Sequence, residues 1–106
     1  MSVKEFIEDN SEKLIQKLKE YSESNISHCD MQKYIDSIFD LWYGLDCDKT
    51  IEKSKEEEIF WHAVWTMQHV ADEEHFKDGI TQKEIVKCLN FLNNNYLPKG
   101  YIANRP

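Results

Sequence analysis

Only three glycines and two prolines punctuate this chain, and both prolines, Pro98 and Pro106, fall in its last nine residues. Strand-rich sandwiches and barrels need turn residues every ~8–12 positions. The stretch ahead of Pro98 has too few breakers for such a fold, and its apolar residues recur at helical spacing instead. At ~100° per residue, Val3, Ile7, Leu14, Leu18 and Tyr21 share one side of a first segment from Ser2 to Tyr21, opened by a Ser2–Glu5 capping pattern. Asn10 interrupts that stripe and marks a kink or a second start. Polar residues 21–25 lead into a second segment, Ser27 to Gly44, with Met31, Ile35, Ile38, Trp42 and Leu45 in line and Tyr34 and Leu41 on the shoulder. Its opposite face carries Lys33, Asp36, Asp40 and Tyr43, and Gly44 suits a left-handed closing residue. Residues 46–49 form a loop.

A third segment starts at Thr50 or Ser54, with a Ser54–Glu57 capping box, and is expected to reach about His75. Ile59, Phe60, Ala63, Val64, Met67, Val70 and Ala71 give it a broad apolar face. The fourth follows an Asp78-Gly79 turn and combines a Thr81–Glu84 capping box with an Ile80–Ile85 staple. Its stripe is Ile85, Leu89, Leu92 and Tyr96; residues 93–95 fray it and Pro98-Lys99-Gly100 stops it. Tyr96, Leu97, Tyr101 and Ile102 keep the tail apolar enough to fold back. The expectation is an all-α fold, a compact four-helix domain or bundle with an apolar C-terminal tail, in which residues 1–106 form a single helical domain joined by short connections. A chain of this size hides roughly 60–70% of its unfolded surface, enough for a core without staples.

Thirteen basic against twenty acidic residues leave a net charge of −7, a sign that repels phosphate and argues against direct nucleic-acid binding. No apolar run approaches the ~18 residues of a membrane span. The first ten residues lack the apolar centre of a secretory signal, so a cytoplasmic location is expected. Cys29, Cys47 and Cys88 are odd in number and widely spaced, which suits free thiols in a reducing compartment.

Catalytic and metal patterns lose to simpler readings. Glu58, His62, His69 and Glu73 fall toward one side of the third segment, but i and i+7 lie ~10 Å apart along a helix, too far to share one zinc unaided. Asp72 and His75 give only one near-match to the di-iron Glu-x-x-His pattern. Adjacent His28 and Cys29 point in different directions on a helix, and Asp36 with Asp40 reads as a solvated face. No glycine-rich turn or nucleophile elbow occurs. No catalysis, no metal and no cofactor are expected.

The aromatic residues say more. Trp61 and Trp65 stand one turn apart, off the apolar face and beside Glu58, His69 and Asp72. Either the third helix is covered all round, with the tryptophans packed on the tail or the first helix, or they belong to an aromatic and acidic contact surface. Residues 56–75 hold six acids and no Lys or Arg, and residues 30–48 hold five acids and one Lys. If the second and third helices are neighbours, Asp36, Asp40, Tyr43, Glu58, Trp61, Trp65, His69 and Asp72 form one partner-binding surface.

In size, acidity and helical design the chain resembles small bacterial immunity proteins, the inhibitors of nuclease bacteriocins and of contact-dependent growth-inhibition toxins. Nuclease-colicin immunity proteins carry a Tyr-Tyr-Pro segment at their toxin contact. This chain has Trp42-Tyr43-Gly44 and Asn95-Tyr96-Leu97-Pro98 instead, so no binding residue is carried over. The resemblance implies a non-enzymatic inhibitor of a basic toxin, in which opposite charge speeds association and aromatic anchors hold the complex. The alternative is a helical adaptor that homodimerises through the same patch.

Overall fold

A computed structural model describes residues 1–97 and 100–106; among these it forms five helices and no strand. They are α1 (Val3–Ser22), α2 (His28–Tyr43), α3 (Lys55–Val70), α4 (Glu73–Lys77) and α5 (Ile80–Asn94). The all-α expectation holds. Helix α3 packs against α1, α2 and α5, and α1 also meets α2 and α5. The body is 19 Å thick, the depth of two helix layers. One apolar cluster draws on α1, α2, α3, α5 and the tail, with Leu14, Leu18, Ile38, Phe60, Trp61 and Ile85 fully enclosed.

The expected stripes of α1, α2 and α3 are their buried stripes, with Phe6 joining that of α1. Of the fourth stripe only Ile85 is buried: Leu89 and Leu92 are half-buried, Tyr96 is exposed beyond the end of α5, and Thr81 and Cys88 fill the core side instead. Asn10 neither kinks nor restarts α1: it is buried, and its amide donates to the Phe6 carbonyl one turn back at 2.8 Å, so the polar group costs the helix little. The Ser2–Glu5 box forms as expected. Ser54 accepts from the Glu57 N–H, but the Glu57 carboxylate turns inward instead of returning to the cap. Gly44 closes α2 at φ −82°, an ordinary right-handed conformation. The connection that follows spans 44–54, longer than the short joints expected.

Helix three was expected to continue to about His75 but ends at Val70, giving five helices where four were expected. Three side chains account for the break. Thr81 Oγ1 donates to the Val70 carbonyl at 2.6 Å and Gln32 Nε2 to the Ala71 carbonyl at 2.6 Å, taking two acceptors that a continued helix would use. Asp72 then caps α4, accepting from the His75 N–H at 2.8 Å. Thr81 is therefore no N-cap. It lies fully buried inside α5, whose N-cap is Gly79 at φ +78° with no side-chain cap, and Ile80 is 41% exposed rather than stapled to Ile85. Asn95, at φ 49°, ends α5. Of the expected stop, Pro98 and Lys99 lie outside the described residues. Cys88 is buried within α5, and burial pushes its thiol up to about 12, so it packs as a small apolar group.

Thr81→Val keeps the shape and removes the hydroxyl. The change removes one of two hydrogen bonds to the Val70 carbonyl, which still accepts from the Asp72 N–H at 3.0 Å. It is expected to cost about 0.5–1.5 kcal/mol, measured as a lower urea midpoint at unchanged slope.

Candidate functional site

Of the residues expected to share an aromatic and acidic face on α2 and α3, Trp61, His69 and Asp72 depart from it, Trp61 most of all. Trp61 does not reach the surface. It is fully buried, with rings of Phe60, Trp42 and Phe6 at centroid distances of 4.8, 5.1 and 6.3 Å. Its indole N–H donates to Glu57 Oε2 at 2.9 Å, which lets the polar edge of the ring enter the core.

Trp65, one turn on, is half-buried at the surface. Its ring lies 5.1 Å from Phe39 of α2, and its N–H donates to the Asn104 carbonyl at 2.7 Å. The tail therefore folds back across α3, as expected, but polar groups hold it. Arg105 places Nε 2.6 Å from Glu57 Oε2 and Nη2 2.7 Å from Oε1, while Nη1 donates to the Lys49 carbonyl at 2.6 Å. Lys53 Nζ donates to the Ala103 carbonyl at 2.6 Å. Ala103 is buried, but Ile102 is 79% exposed and Tyr101 and Tyr96 are also open to solvent. The carboxylate of Glu57 holds the Arg105 guanidinium above its ordinary range.

On α2, Asp36, Asp40 and Tyr43 are exposed and lie on successive turns. Asp36 borders a shallow cleft with Gln32, Ile35 and Gln68, so the outer sides of α2 and α3 do meet. Glu58 is half-buried on the same helix as Trp65. Phe39 and Ile102 join the face; neither was singled out as a contact residue. Phe39 lies off the α2 stripe, and Ile102 comes from a tail whose path depends on Arg105. Asp72 is committed elsewhere: its carboxylate meets His75 Nδ1 at 2.7 Å, and this contact, with the His75 backbone N–H first, keeps its carboxyl below the ordinary range. His69 is exposed and faces His75, with ring centroids 5.7 Å apart. These two residues flank the end of the face instead of lying at its centre.

Groups weighed for chemistry are dispersed. His62 packs under Tyr101 and Phe91 at ring distances of 4.8 and 5.6 Å, and burial lowers its pKa against the opposing pull of Glu84. His28 hydrogen-bonds the Tyr21 hydroxyl at 2.7 Å, whereas Cys29 is exposed. Among the described residues no group of three or more His, Cys, Asp or Glu is arranged to hold a metal ion.

Two measurements test the tail's attachment. Arg105→Ala strands a buried carboxylate and is expected to cost about 3 kcal/mol; Arg105→Lys, lacking the planar fork, recovers only part of it in denaturant titrations. The pH response follows from His62. Its folded-state pKa lies below the ordinary 6.5, so the unfolded chain binds the proton more tightly. This contribution to stability is complete above that value and is lost as pH falls through the lower, folded pKa. Unfolding midpoints at pH about 7.5 and about 5 should differ less in His62→Phe than in the wild type.

No family model, curated protein or solved structure matches the chain.

Proposed function

We propose that this chain is a stoichiometric protein inhibitor of the immunity type, which binds a basic partner, a nuclease toxin domain, in the cytoplasm and performs no chemistry of its own. The observation that carries the reading is one face bearing exposed Asp36, Asp40 and Tyr43 on α2, with half-buried Phe39 and Trp65 and the open Ile102 beside them. Aromatic rings fixed at their edges and left open at one side lose little entropy on binding, and nearby carboxylates attract a basic surface. Trp65 is such a ring, tethered by Asn104. No helix among the described residues is long and apolar enough to cross a membrane, which is compatible with this setting.

Asp36→Lys with Asp40→Lys should slow association with the basic partner most at low salt, where screening is weakest. Trp65→Ala should speed dissociation, losing about 2–4 kcal/mol of affinity. Its cost in stability, read separately from the denaturant midpoint, should stay below the ~3–5 kcal/mol of a core tryptophan. Unchanged binding by both variants removes this face from the reading. Tyr43 and Ile102, exposed by 64 and 79%, favour self-association as the second reading. Sedimentation of the purified chain separates the two, because a stable dimer through this face leaves no surface for the partner.

A further inference from the structure

A second acidic surface lies elsewhere on the fold, and it is concave. Val3, Ile7, Ile51 and the start of α3 line a cleft of about 500 Å³. Ile7, Ser11, Ile59 and Leu92 line another of about 210 Å³, and the two share Ile7, Glu8 and Glu56. Together they make a groove along two turns of α1, from Val3 to Ser11, or ~12 Å. Ile51 stands at its mouth, 46% exposed, in the long α2–α3 connection. The rim is Glu8, Glu52 and Glu56, all exposed, and Lys4 is the only basic residue among those lining either cleft. Glu56 spans to Asn95 Nδ2 at 3.1 Å, and its own backbone N–H, then that amide, keep its carboxyl below the ordinary range.

We infer that this groove is a docking site for a short cationic amphipathic segment of a partner protein, whose apolar side chains enter between α1 and Ile51 while flanking Lys or Arg side chains meet Glu8, Glu52 and Glu56. The length fits apolar residues repeating every three or four positions over about two helical turns. An acidic or wholly apolar segment is rejected, the first by repulsion and the second because it leaves the carboxylates unpaired. The inference does not depend on the α2–α3 face, which uses none of these residues.

The test uses the full chain and a labelled twelve-residue Lys/Leu peptide with apolar residues at helical spacing, with a Glu/Leu peptide of the same pattern as control. The Lys/Leu peptide should bind, more weakly as salt rises, and should shift the methyl resonances of Ile7, Ile51, Ile59 and Leu92. Glu8→Lys with Glu52→Lys, whose side chains make no hydrogen bond among the described residues, should weaken it about tenfold or more, a change of ~1.4 kcal/mol. Ile51→Ser should weaken it at every salt concentration. Asp36→Lys with Asp40→Lys, an equal change in net charge, should leave it within about twofold, since distant sites are independent. Equal weakening by both charge reversals means attraction to bulk charge alone and overturns the inference. So does binding of the Glu/Leu peptide, failure of the wild-type methyl signals to move, or a homodimer that Ile51→Ser dissociates, which would make a second copy the occupant.

Discussion

The carboxylate of Glu57 organises this fold. It is 2% exposed and accepts from Trp61 and twice from Arg105, so both oxygens are engaged. A carboxylate without those partners would have to gain a proton or regain water, and either outcome opens the core around Trp61. The same arginine grips the Lys49 carbonyl, and Lys49 Nζ donates to the Trp42 carbonyl at the end of α2 at 2.7 Å. The start of α3, the 44–54 connection, the end of α2 and the tail are thus joined through one ion pair. Trp65 gains its tether from the residue next to that arginine, so the outer face of α3 inherits its shape from an interaction inside the molecule.

Arg105 is also the only arginine in the chain, against twelve lysines. Its position has a physical reason. A planar fork can satisfy both oxygens of an enclosed carboxylate and still reach a carbonyl, whereas an ammonium is a more strongly hydrated point charge. The role of this arginine is not legible from the sequence alone, because it depends on a partner 48 positions away.

Features governed by neighbours on the same helix were legible: the stripes of α1, α2 and α3, and the Ser2 box. Features governed by contacts between distant segments were not. Thr81 and Glu84 have the spacing of a capping box, but α3 ends beside Thr81 and its hydroxyl serves that helix instead of its own. Ser54 and Glu57 share the pattern, yet Glu57 is drawn inward by Arg105. The break at Ala71 was hidden for the same reason, since Asp72 becomes a cap only once Thr81 and Gln32 have claimed the carbonyls before it. Within the candidate face, Asp36, Asp40 and Tyr43 followed from the α2 wheel. Trp61 did not, because a wheel places a residue on a side without saying what covers that side.

The tail's attachment has a consequence for the order of events during synthesis. Helices α1 and α2 can pair as soon as they leave the ribosome, and α3 can coil behind its Ser54 cap. The charge on Glu57 has no protein counter-ion until residue 105 has emerged, so the centre of α3 stays hydrated while α5 is still being made. Closing that long interval carries an entropic cost that local contacts do not. The ion pair that closes the core around Trp61 can therefore form only after α5 has been made, later than any contact between α1, α2 and α3.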